Sequence, residues 1–187
     1  MRLGWLIVGQ LAEYYGIPTF GSGGATDSKC PDAQAGAEAF MNALFNVAAD
    51  INLTHNCGTI AHRSSGSLEM GIICDEIISY IQRLLMEIDI SDETLAVDLI
   101  RRIGLGGNLM AEKHIRTHLE KGEILHPKLF NLQAIIDWKP KGQLSTREEA
   151  KLKVKTMLQE HKTPALPSEV LQQIDQIMRR ASHTMTK

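Results

Sequence analysis

Residues 20–36 read "FGSGGATDSKCPDAQAG", a glycine-rich, polar block set between two apolar segments. Upstream, "IPTF" (17–20) is short, β-branched and aromatic, which predicts a strand. Downstream, "PDAQAGAEAFMNALFNVAAD" (31–50) predicts a helix, with Pro31 in its first turn and Asp32 near the positive end of its dipole. The block is therefore a strand-to-helix loop. A plain connector and a shaped loop both fit its composition. In the shaped reading, Gly23 and Gly24 bring the backbone close to a ligand, and Asp27, Ser28 and Lys29 supply charge and hydrogen bonds. Neither GxxxxGK[ST] nor GxGxxG is present, so the loop is no phosphate cradle of a known pattern.

The same unit recurs further on. "INLTHNCG" (51–58) alternates and predicts a second strand, "TIAHRSSG" (59–66) a polar loop, and "SLEMGIICDEIISYIQRLLMEI" (67–88) a long apolar helix. With the helix expected over residues 2–15, the order is helix, strand, loop, helix, strand, loop, helix. That order predicts an α/β fold with a parallel sheet. From Ser91 onward the chain reads as helical. "SDETLAVDLIRRIG" has a serine N-cap, acids in its first turn, arginines in its last and Gly104 as its stop. "STREEAKLKVKTML" opens with Ser145 and Glu148 at capping-box spacing, and a last helix is expected near Ser168. Two strands are few for an independent sheet, so the chain reads as part of something larger.

Composition narrows the function classes. The 187 residues are 43% hydrophobic and 22% charged, as in an ordinary globular domain. No apolar run reaches the ~18–20 residues of a membrane span. The start, "MRLGWLIVGQLAEYYG", lacks a small-residue cleavage site and reads as a helix rather than a signal peptide. Three cysteines without a CxxC pair give neither a disulfide framework nor a zinc pattern. A cytoplasmic location follows as the expectation. Ten Lys and Arg stand against seventeen Asp and Glu in residues 1–138, net −7, and ten against five in 139–187, net +5. The basic tail is diluted by Glu148, Glu149 and Glu160 and lacks interleaved aromatics, so it reads as a solvated helical face and not as a nucleic-acid surface.

In α/β folds, ligands sit beyond the C-terminal ends of the strands. The loops Gly21–Pro31 and Gly58–Gly66 occupy that position. His55, near the end of the second strand, is expected on one face with Ile51, Leu53 and Cys57. Glu69, in the first turn after the second loop, is expected close to the same place. His55 and His62 do not have metal-ligand spacing, and the sequence predicts no metal site. His114 and His118 read as surface or structural residues.

"YYGIPTFGSGGATDSKCPDAQAGAEAF", "INLTHNCG", "GSLEMGIICDEII", "IDISDETLAVDLIRRIGLGGNLM" and "LEKGEILHPKLFN" resemble successive motifs of the trimethylamine methyltransferase family, from about Gly9 to about Leu158. The resemblance points to the pyrrolysine-free branch, which includes glycine betaine methyltransferases. It implies the C-terminal part of a TIM (β/α)8 barrel over residues 1–138, followed by a helical basic extension over 139–187. It implies methyl transfer from a quaternary or methylated amine to the cobalt of a corrinoid protein, with no cofactor bound directly. His55 and Asp27 would be the catalytic pair, and Gly23, Gly24, Asp27, Lys29, His55, His62, Arg63 and Glu69 would line the amine pocket. A homo-oligomer or a complementing chain is expected, because a barrel segment leaves strand edges open. Two departures stand out. Thr59-Ile60-Ala61-His62-Arg63 replaces the "YLESG" of many relatives, with no pyrrolysine near Ala61, and Asn108 follows "GLGG" where a histidine is common. An inactive remnant acting as a helical protein-interaction module is the alternative reading.

Overall fold

A computed structural model describes residues 3–185. The first helix, α1 (Gly4–Tyr15), stops at Gly16, whose φ of 64° supplies the left-handed cap. Strand β1 (Phe20–Ser22) pairs in parallel with β2 (Leu53–His55), in the register Phe20 to Leu53, Gly21 to Thr54 and Ser22 to His55. Between them runs α2 (Ala33–Ala48). A short antiparallel hairpin follows, β3 (Thr59–Ile60) and β4 (Ser65–Gly66), and then α3 (Leu68–Leu85). The α/β class expected from the sequence holds, in a mostly helical form with two small sheets.

Local chemistry sets these boundaries. Asp32 is the N-cap of α2, accepting from the Ala35 N–H at 2.9 Å, so Pro31 lies just outside the helix and not in its first turn. That bond holds the Asp32 carboxyl below its ordinary pKa. Ser67 caps α3 by accepting from the Met70 N–H at 3.1 Å. The first strand begins later than "IPTF" implied. Pro18 has no N–H to give, and the Thr19 N–H donates to the Asn52 side chain at 2.8 Å instead of to a neighbouring strand.

The core lies between α2 and α3. Buried Met70, Ile73, Cys74, Ile77 and Ile81 follow helical spacing along α3. They face Ala35, Ala39 and Ala43 of α2, whose small side chains let the helices approach closely. Ile60, Leu129 and Ala150 complete the cluster. Glu76 is buried in this apolar helix but paired: its carboxylate accepts from the Lys128 N–H at 3.0 and 3.1 Å.

Beyond α3 the elements shorten. The helix expected over residues 91–104 is two, α4 (Asp92–Leu95) and α5 (Val97–Ile103), broken at Ala96 with a φ of 48°. The reciprocal Ser91–Thr94 capping box tightens the first turn, and Ala96 ends it in the left-handed region. A 3-10 turn at Leu109–Ala111 leads to α6 (Lys113–Glu120), and α7 (Ile135–Trp138) continues into a second 3-10 turn. The last two helices are α8 (Thr146–Glu160), with Ser145 and Glu148 bonded reciprocally as expected, and α9 (Ser168–Met185). Contacts divide the chain into two compact units, Met1–Lys155 and Thr156–Lys187. Among the described residues, no helix is long and apolar enough to cross a membrane.

Candidate active site at the strand ends

The loop after β1 is shaped and strapped down. From Gly21 to Ser28 every residue is buried except Asp27. The Gly23 N–H donates to the His55 carbonyl at 2.9 Å, and the Thr26 N–H to the Thr59 carbonyl at 3.0 Å. From the helix side, Glu38 accepts from the Thr26 hydroxyl at 2.6 Å and the Asp27 N–H at 2.7 Å. Asn42 donates to the Ala25 carbonyl at 2.7 Å. A mobile connector would leave these groups to water. Here they fix the backbone so that Asp27 and Lys29 alone project outward, with Lys29 Nζ folded back onto the Asp27 carbonyl at 2.9 Å.

The second loop closes over the first. Its hairpin tip is anchored by the Ala61 N–H, which donates to the Ser28 carbonyl at 2.7 Å. Ala61, His62 and Arg63 then have φ of 52°, 56° and 65°, three successive left-handed residues with side chains. Such a residue costs about 1–2 kcal/mol relative to the right-handed form, and strained backbone of this kind concentrates at functional sites. Ser64 holds the turn, its N–H and hydroxyl both donating to the Ala61 carbonyl. The tip carries His62 to Asp27, Nδ1 to Oδ1 at 3.0 Å. His62 and Asp27 side chains are 91% and 55% exposed, so the pair adds little stability and stays available to a ligand.

His55 lies beside this pair in the topology but not in contact with it. Its ring stacks on Phe20, centroids 3.9 Å apart and planes 5° from parallel. Exposed Phe20 and Leu53 and half-buried His55 form the face of the parallel pair turned away from α2. Ile51 and Cys57, expected on that face, are elsewhere. Ile51 packs where a side chain on Gly21 would stand, and Cys57 turns to Cys74 of α3. The alternation lasts only three residues, and the left-handed Asn56, φ 65°, turns the chain beyond it. Glu69 belongs to the helix start: it accepts from the Ser67 hydroxyl at 2.8 Å. Its own backbone N–H, and then Ser67, hold its carboxyl below the ordinary range. Arg63 extends from the hairpin tip, exposed.

Sequence reasoning missed Glu38 and Asn42, the residues that position the loop. Their spacing along α2 placed them on its inner side, but only the fold reveals the Ala25 carbonyl, Thr26 hydroxyl and Asp27 amide that they meet. Also missed was the thiol pair under Gly24. A hydrogen bond from Cys74 brings the exposed Cys57 thiol down to about 7, while Cys57 and burial push Cys74 well up. Alkylation of Cys57 by iodoacetamide, followed by mass spectrometry in a Cys30→Ser background, should show a rate midpoint near pH 7. Cys74→Ala should move that midpoint towards ~8.5, the ordinary thiol value. A midpoint near ~8.5 in both proteins would contradict the pairing.

The comparisons agree with the motifs. The family model of trimethylamine methyltransferase (MTTB) matches residues 2–186. Trimethylamine methyltransferase MttB2 of Methanosarcina mazei is 30% identical over 174 residues, 93% of this chain and 35% of that protein. Glycine betaine methyltransferase of Desulfitobacterium hafniense (strain Y51) is 32% identical over 162 residues, 86% of this chain and 33% of that protein. The chain thus spans about a third of the length of the relatives it matches. With a family match over nearly its whole length, and with the strand-end loops that carry the family motifs ordered against each other, the chain belongs to the trimethylamine methyltransferase family.

Proposed function

We propose that the chain forms the C-terminal part of a TIM-barrel methyltransferase that moves a methyl group from a quaternary or methylated amine to the cobalt of a separate corrinoid protein. The observation that carries this reading is the family match over residues 2–186. The Asp27–His62 pair at the strand ends supports it. The corrinoid is a second substrate, brought by its own protein. Its reduced cobalt attacks the methyl carbon, the C–N bond breaks, and nitrogen keeps the electron pair. A quaternary ammonium therefore needs no general acid. It needs a site that sheds water around the cation and aims one methyl group.

Asp27 offsets the ammonium charge, and the Phe20–His55 platform offers a flat aromatic face to a cation. Where the substrate is a betaine, His62, Arg63 and Lys29 are the donors for its carboxylate. Remaining walls come from the rest of the barrel or from a complementing chain. A carboxylate about 5 Å from the cation contributes ~3 kcal/mol at an effective dielectric of about 20. In this chain joined behind the N-terminal two thirds of the glycine betaine relative, Asp27→Ala should lower kcat/KM for the quaternary amine about 100-fold. An unchanged value would remove Asp27 from the site.

The alternative, a helical interaction module, draws on α9. There Val170, Leu171, Ile174, Ile177 and Met178 form an exposed apolar stripe. Methyl transfer by the joined protein decides between the two.

A further inference from the structure

Between Ser91 and Lys128 only one residue is buried, and it is a histidine, His118. A segment with α4, α5 and α6 but no apolar core of its own needs some other fastening. The geometry points to a divalent transition-metal site of the zinc class, formed by Glu93, His114 and His118 and clipping α4 to α6.

His114 and His118 are four residues apart on α6 and so share one face. Their rings lie 4.3 Å apart, centroid to centroid, at 44°. Glu93 comes from α4, and its Oε1 stands 2.9 Å from His118 Nε2 and 3.8 Å from His114 Nδ1. All three donor atoms fall within 4.8 Å of one another. Ligands on a tetrahedral zinc ion, with bonds of about 2.0–2.1 Å, are about 3.3 Å apart. The two observed distances bracket that edge, so small side-chain rotations suffice.

The surroundings fit as well. The second nitrogen of His118, Nδ1, meets the Glu123 carboxylate. Metal-bound histidines commonly carry such an outer carboxylate, which fixes the tautomer and leaves Nε2 free to bind the ion. The His118 and His114 side chains are 11% and 23% exposed, and Glu93 is 57% exposed at the rim. Beside the donors is a cavity of about 220 Å³, bordered by Thr94, Ile115 and Leu119, with room for water as a fourth ligand. Two imidazoles and one carboxylate form a borderline donor set that suits zinc, nickel or copper better than calcium or magnesium. Without the ion, hydrogen bonds from the two His118 nitrogens to Glu93 and Glu123 give the same close packing.

Calorimetric titration of the chelator-treated 187-residue chain with Zn2+ distinguishes these states. One ion per chain is expected. His114→Gln and Glu93→Gln should each weaken binding about 100-fold, and Glu123→Gln about 10-fold. Co2+ should give the absorption of a nitrogen- and oxygen-ligated tetrahedral ion without a thiolate charge-transfer band, which separates this site from the cysteines. Zn2+ should also slow amide exchange over residues 91–124 in the parent chain but not in His114→Gln. His114→Gln leaves the His118 bonds to Glu93 and Glu123 in place, so it reports on binding even where His118→Gln fails to fold. Absence of zinc binding, or binding of parental strength in a folded His114→Gln chain, would overturn the site and leave a purely electrostatic knot.

Discussion

Gly24→Ala should destabilise this protein by about 3 kcal/mol, the upper range for forcing a methyl group into a filled interior. A Cβ on Gly24 would stand 2.7 Å from Cys57 Cα, 3.0 Å from Cys74 Sγ and 3.1 Å from Cys57 Sγ. The nearest of these is backbone, held where the chain leaves β2, and the sulfurs are packed against each other. None can yield without moving the loop or α3. Gly36, inside α2, meets nothing within 4 Å, so Gly36→Ala should raise stability by about 0.5–1 kcal/mol through helix propensity alone. Thermal unfolding should therefore separate the two variants clearly, with Gly24→Ala melting about 6–12 °C below the parent. Equal melting temperatures would mean that the loop is not packed as described.

The contrast shows what the sequence could reveal. Helices α1, α2 and α3 were legible because their signals are local: the Gly16 stop, Pro31 and Asp32 at the start of α2, and apolar spacing along residues 68–85. The glycine block was legible as a strand-to-helix loop, but not its state. Whether Gly24 is free or trapped depends on Cys57 and Cys74, which arrive from 33 and 50 residues away. The break at Ala96 was hidden because alanine is a strong helix former. A capping box that closes within one turn outweighed that propensity. The hairpin inside "TIAHRSSG" was also hidden. Its tip has no glycine, and the left-handed Ala61, His62 and Arg63 are held by contacts with Ser28 and Asp27. Asp27 and His62 were both expected at the site, and the structure brings them together. His55 was expected to face the same cavity as Asp27, and its stacking on Phe20 was not foreseen.

The second large effect concerns catalysis. A barrel active site draws its walls from the ends of many strands, and the parallel pair described here supplies two. Positioning errors of about 1 Å cost ~100-fold in rate, so the 187-residue chain by itself should transfer no methyl group above background. Joined behind the N-terminal two thirds of the glycine betaine relative, the same residues should complete the site. The decisive measurement is methyl transfer from glycine betaine, other quaternary amines and methylamines to a reduced corrinoid protein, followed by the visible spectrum of the cobalt. The expected result is no spectral change with the chain alone and turnover with the joined protein on a quaternary amine. Inertness of a folded joined protein towards every amine, while the intact relative turns over under the same conditions, would contradict the proposed methyltransferase function.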